Sequence, residues 1–211
     1  MTVRSEEYKF RTAKRSLDMI RRLTVSNFTN KSMRHVTLTF SPSCNFDITD
    51  LSKCNKKFNL FVHRIRAKYK KFMFIKVAEF TKKGVVHFHM VCNVAFIPSK
   101  VLASYWTYGF ISVSKCDVSI SCYMFKYLVK SVGDPRFGSA RLWSRSSNLV
   151  KPYNVYGDKA VSLACDIINM GYTPRFSYMY RSPNLGLVRV FEFDLFRDKP
   201  VFNRNKFVAR G

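Results

Sequence analysis

Acidic side chains are scarce in this sequence. Only 13 Asp and Glu stand against 37 Lys and Arg over 211 residues, giving a formal net charge of +24 and a pI near 10.1. A chain so charged repels itself and attracts polyanions, and nucleic acid is the first of these because binding releases its condensed counterions. An anionic membrane is disfavoured, since the basic residues are not gathered on an amphipathic helix beside an apolar anchor. No run of about 18 apolar residues exists, so no membrane-spanning helix and no membrane partner are expected. Six cysteines are present, Cys44, Cys54, Cys92, Cys116, Cys122 and Cys165, but none shows C-x-x-C spacing. A structural zinc site is therefore not expected. With a polar opening stretch and no secretory signal, the thiols read as reduced in a cytoplasm. A G-x-x-x-x-G-K-[ST] phosphate loop is also missing, so ATP-driven unwinding is not encoded.

What is present alternates and repeats at regular spacings. Residues 1–32 are polar and strongly basic and read as an N-terminal arm, helical in part over SLDMIRRL. Residues 33–150 form the central domain. MRHVTLTF (33–40) alternates as a strand, and Leu51, Phe58, Phe61, Val62 and Ile65 recur at helical spacing behind a cap at Thr49 or Asp50. KFMFIKVAEF (71–80) and VVHFHMVCNV (85–94) are strands of a hairpin turning on Lys82-Lys83-Gly84. A short helix is expected from Pro98 to Tyr105, a strand over 109–115, and a helix over 119–132 ended by Gly133-Asp134-Pro135. Residues 141–149 read as basic and polar. Residues 151–211 read as a C-terminal extension packed on the core, with a helix over 158–169 and a hairpin over 175–180 and 187–196. The order β-α-β-β-α-β-α predicts an α+β fold: a small antiparallel sheet with helices on one face, of the ferredoxin-like kind.

Two clusters carry chemistry. In His87-Phe88-His89, strand alternation points both imidazoles to one face. Glu79 ends the preceding strand, where the hairpin brings it alongside. Two imidazoles and a carboxylate offer three ligands for one divalent ion and leave positions open for water or substrate. The second cluster is Tyr123-x-x-Lys126-Tyr127-x-x-Lys130. On a helix Tyr123 and Tyr127 share a face, as do Lys126 and Lys130. A phenol is a poor nucleophile near neutral pH, and a nearby cation favours its phenolate. Taken singly, either tyrosine is equally at home packing a helix on a sheet.

These segments together resemble the replication initiators of the HUH endonuclease superfamily, in the form found in phages and plasmids. His87-Phe88-His89 matches the histidine–hydrophobic–histidine motif. Val36-Thr-Leu-Thr-Phe40 looks like the first motif, Glu79 like the acidic ligand, and Tyr123 to Lys130 like the doubled tyrosine motif. Trp106 to Val113 and Arg141 to Arg145 also fit. The resemblance covers roughly residues 33–148. It implies a metal-dependent nickase and strand transferase that binds Mg or Mn through His87, His89 and Glu79. It implies that a tyrosine becomes joined to a 5′ phosphate at a single-stranded or hairpin replication origin, as in rolling-circle replication. It favours Tyr127 as nucleophile with Lys130 as its partner. Tyr123, with Lys126, is then a second nucleophile or a core ring. Lys82 and Lys83 would border the DNA, while His35 and His63 are spare candidates read as structural or DNA-facing. A separate helicase and polymerase are implied. The same chemistry also serves conjugative relaxases and single-strand transposases, and a non-catalytic nucleic-acid-binding protein would explain the charge alone.

Overall fold

A computed structural model describes residues 3–29, 31–94, 97–116, 120–174 and 176–193. The chain divides into two compact units, Met1–Pro152 and Tyr153–Gly211. Among the described residues no helix is long and apolar enough to cross a membrane.

The first unit is built on a five-stranded antiparallel sheet. Its strands are β1 (Arg34–Leu38), β2 (Phe74–Phe80), β3 (Val86–Cys92), β4 (Ile111–Lys115) and β5 (Trp143–Arg145), and their spatial order is β4-β1-β3-β2-β5. The helices are α1 (Val3–Asn27), α2 (Leu51–Lys68), α3 (Ser99–Tyr105) and α4 (Ile120–Ser131). The α+β class and the antiparallel sheet are those expected from the element order, and the sheet with its helices is consistent with a ferredoxin-like core.

Strand alternation divides the core into two layers. Val36, Leu38, Phe74, Ala78, Phe80, Val86, Phe88 and Met90 point to one face and pack with Phe58, Phe61, Val62 and Ile65 of α2 and Leu102 of α3. Ile75, Val77 and Val91 point to the other face and pack with Met124, Tyr127 and Leu128 of α4 and Ile20 and Leu23 of α1. Helices therefore cover both faces, where the sequence suggested one. The reason is that the interior strands β2 and β3 are apolar on both sides and must be buried on both sides.

The basic N-terminal stretch is likewise not an arm standing off the domain. It is one long helix in which Ala13, Ile20, Leu23 and Thr24 are buried while its basic residues Arg11, Lys14 and Arg15 stay exposed. The sparse apolar positions are spaced for one narrow stripe, which suffices to dock it beside α4. Strand β5, in a segment read only as basic and polar, forms by pairing with β2, Val77 opposite Trp143 and Ile75 opposite Arg145.

Local chemistry fixes the remaining elements. Asp50 caps α2, its carboxylate accepting from the amides of Ser52 (2.8 Å) and Lys53 (3.1 Å). The β2–β3 hairpin closes with the Gly84 amide donating to Thr81 O (2.9 Å) and Gly84 at φ 83°, a left-handed position that a glycine takes without strain. Gly109 sits against β1 so closely that a Cβ would lie 2.3 Å from Thr39 O. Five cysteines with described side chains are free, Cys54 and Cys92 among the buried ones; the Cys122 side chain lies outside the described residues.

The second unit contains α5 (Asp158–Asn169) and a hairpin of β6 (Phe176–Ser182) and β7 (Gly186–Glu192). Its helix and hairpin fall where periodicity placed them. Arg175 and residues 194–196, also expected in that hairpin, lie outside the described residues.

Candidate active site

The hairpin register sets the first part of the site. Glu79 is directly opposite His87, and Val77 is opposite His89. Directly opposed residues of an antiparallel pair project to the same face, so Glu79, His87 and His89 share one. Pairing of β1 with β3 adds Thr37, opposite His89, and His35, opposite Val91. The face that carries the site is therefore the one covered by α4.

The side chains converge. His89 Nε2 lies 2.8 Å from Glu79 Oε2, and the Lys130 ammonium donates to Glu79 Oε1 at 3.0 Å. The Tyr127 ring lies flat on the His89 ring, with centroids 3.4 Å apart and planes within 12°. Lys130 Nζ stands 5.9 Å from the centre of the Tyr127 ring. On the far side the His35 ring runs parallel to His89 at 5.9 Å. Thr37 Oγ1 is 3.4 Å from His89 Nδ1. A hydroxyl both donates and accepts, so Thr37 can serve either imidazole tautomer. Glu79 thus links a helix to a sheet, and the carboxylate is largely covered, its side chain 14% exposed.

Burial sets the protonation of the imidazoles. Desolvation pulls His89 down to about 4, against the opposing pull of its bond to Glu79. Desolvation also lowers His87 and His35. Neutral imidazoles are the form that ligates metal.

Helix α4 is held where Tyr127 and Lys130 can act. Its last residue, Ser131, donates from a buried hydroxyl to Ala78 O of β2 at 2.8 Å. Beyond it Asp134 binds Arg136 through both carboxylate oxygens, and Arg136 Nη1 donates to Thr81 O in the hairpin turn at 3.1 Å. The Arg136 hydrogen bond holds the Asp134 carboxyl below its usual range. The helix end and the hairpin loop are therefore tied to each other on the rim of the site.

Among the described residues no three His, Cys, Asp or Glu side chains form a ready-made metal cluster. Two of the expected donors are in place. Adjacent ligands of an octahedral ion with bonds of about 2.1 Å stand roughly 3 Å apart, and the 2.8 Å between His89 Nε2 and Glu79 Oε2 fits that spacing. His87, half-buried and opposite Glu79, is the third donor on the same face.

The structure brings together Glu79, His89, Tyr127 and Lys130, with His87 alongside. Lys126 is exposed on α4. Tyr123 is on α4 one turn before Tyr127, but its side chain lies outside the described residues. Lys82 and Lys83 are exposed in the hairpin turn, and His63 is exposed on α2, which packs on the opposite face of the sheet. Thr37, Ser131 and Arg136 were not singled out from sequence. The alternation of VTLTF could have placed Thr37 on the histidine face, whereas nothing local marks the other two.

The fold and this site define an α+β domain with a histidine–carboxylate pair beneath a helix carrying a tyrosine and a lysine. Residues 33–132 match a family of replication-associated proteins, the ORF2 group. The matched span runs from just before β1 through α4 and contains every residue of the convergent site. No curated protein and no solved structure matches the chain. The family match supports a replication-initiator role, with DNA as the partner and endonuclease activity compatible with it.

Proposed function

We propose that this protein nicks single-stranded origin DNA through a tyrosine–phosphate intermediate and rejoins the strand, initiating rolling-circle replication. The observation that carries the reading is the stack of Tyr127 on His89, with Glu79 bridging His89 to Lys130. Those are the groups that a transesterification at phosphorus needs within one small volume.

In this mechanism the Tyr127 oxygen forms a bond to the scissile phosphorus while the bond from phosphorus to the 3′ oxygen breaks. The phenolic proton is lost and the departing 3′ oxygen takes up a proton, leaving a 3′ hydroxyl for extension. Lys130 places positive charge beside the phenol, which favours its ionised form and offsets charge on the phosphate. Glu79 orients Lys130 and His89 together. His35 and Thr37 hold the His89 ring in its plane. His89, Glu79 and His87 would hold a divalent ion such as Mg or Mn, which when bound supplies Lewis-acid polarisation of the phosphate. The reverse transesterification rejoins the strand without ATP, in keeping with the absence of a phosphate loop from the sequence. Unwinding and synthesis would fall to a separate helicase and polymerase.

One observation favours a non-catalytic DNA-binding role, namely that Tyr127 is only 9% exposed. The test separates the two readings. Protein is incubated with single-stranded origin DNA and Mn, then denatured and examined for a covalent adduct. The nicking reading expects an adduct that EDTA, His87→Ala or His89→Ala abolishes. Tyr127→Phe and Tyr123→Phe, tested singly, assign the nucleophile. Salt-sensitive binding that never gives an adduct overturns it.

A further inference from the structure

A groove of about 810 Å³ opens along the free edge of the sheet, between β5 and α1. Thr12 and Ser16 of α1 form one wall, and Arg141, Trp143, Arg145 and Lys151 form much of the other. The lining contains three cations, a set of hydroxyls and one indole, and no acid. In a chain of ordinary composition that would be weak evidence. Here the helix wall also carries exposed Arg11 and Arg15, so the positive field continues past the groove's rim.

The backbone of β5 adds donors of its own. Leu142 O accepts from the Ala78 amide and the Ser146 amide donates to Phe74 O, while Ser144 pairs with Lys76. The even-numbered residues thus bond inward to β2. The amides of Trp143 and Arg145 therefore point away from the sheet, toward its open edge. An edge that presents N–H groups between guanidinium side chains suits phosphate oxygens.

The groove is also on the right face. Trp143 and His89 are both directly opposite Val77 on its two sides, so the three lie in one row across the sheet. Two strand spacings, about 10 Å, separate the row's ends. That is a span of one or two nucleotides of an extended strand.

We propose that this groove is a binding track for single-stranded DNA flanking the nicked phosphate, with Arg141, Arg145 and Lys151 on the phosphates and Trp143 stacking on a base. The inference rests on the nicking function for the meaning of the track, but its binding test does not. An indole flanked by cations is the arrangement on which unpaired bases stack. A groove walled by a helix admits one strand, whereas a duplex would rest across the rims.

The test uses the full chain in EDTA, where no adduct forms, and a labelled oligothymidylate. Trp106, the second tryptophan, is 2% exposed with its Nε1 bonded to Thr39 O, so a fluorescence response reports Trp143. Binding is expected to quench that fluorescence. Arg141→Ala with Arg145→Ala is expected to weaken binding at least tenfold and to lower the log–log salt slope by about 1.4, roughly 0.7 for each lost phosphate contact. Ser147→Glu, at an exposed lining position, is expected to weaken binding as well, with no cation removed and with the far-ultraviolet circular dichroism unchanged. Wild-type affinity and slope in these variants, or an unquenched Trp143, overturns the proposal. So does a duplex that binds as tightly and quenches as strongly. Loss of the Mn-dependent adduct with groove binding intact would instead refute the nicking function alone.

Discussion

Lys76 is the costliest residue of the core, and replacing it by Met should show how large the cost is. It is 5% exposed on the face of β2 away from the site, with its ammonium 4.2 Å from the Phe58 ring centre and 4.1 Å from that of Phe88. Its only charge-sharing hydrogen bond among the described residues runs to Asn55 Oδ1 at 2.5 Å, and no carboxylate pairs with it. Burial pulls its pKa from 10.5 to about 7. At 1.36 kcal/mol per unit, such a shift corresponds to roughly 4–5 kcal/mol against the folded state at and below pH 7. Contacts of the ammonium with two ring faces return about 0.5–2 kcal/mol each while the amine is charged.

Lys76→Met keeps the stem, replaces the charge by a thioether suited to aromatic neighbours, and should stabilise the protein by about 1–3 kcal/mol at pH 7. The pH dependence has a definite sign. Between pH 7 and 10.5 the unfolded chain holds a proton on Lys76 that the folded chain has released, so wild-type stability rises with pH across that window. The advantage of the variant should shrink by about 2 kcal/mol from pH 7 to pH 9. Cys54, the thiol coupled to Lys76, is pushed up to about 12 and stays neutral throughout that range. Urea unfolding of both proteins at pH 7, 8 and 9 under reductant measures the difference, and groups common to both cancel. A gap that stays constant with pH, or a variant less stable than wild type at pH 7, would refute the reasoning.

Glu79→Gln should reduce Mn-dependent adduct by more than tenfold while leaving metal-free DNA binding unchanged, because the carboxylate serves His89 and Lys130 rather than the flanking phosphates; adduct yield and anisotropy measured side by side decide it. Asp50→Ala removes the acceptor of two amide bonds at the start of α2 and should cost about 1 kcal/mol in a urea melt, with Asp50→Asn recovering most of it. Gly109→Ala puts a methyl 2.3 Å from Thr39 O and against the Ser41 amide, backbone atoms that cannot rotate aside, and should cost about 1–3 kcal/mol with faster amide exchange in β1 and β4. Unchanged stability would mean that the entry to β4 yields freely.

Much of the site was legible in the sequence because it is written in local periods. The alternation of HFH puts two imidazoles on one face whatever the sheet's topology. The Lys-Lys-Gly turn sets the hairpin register that places Glu79 across from His87. The three-residue interval from Tyr127 to Lys130 puts both on one side of a helix, and Asp50 marks the start of another. Local periods say nothing about which distant element lies against a face. The order β4-β1-β3-β2-β5 brings Thr37 and His35 to His89. The short strand at 143–145 exists only because β2 offers it an edge. Helix α1 docks through a few apolar residues in a stretch dominated by charge. The stack of Tyr127 on His89 depends on all of these at once, since α4 can lie there only when α1 closes its other side. Facing and capping are properties of neighbouring residues, whereas adjacency is decided by the burial of the whole chain, and only the tertiary structure carries it.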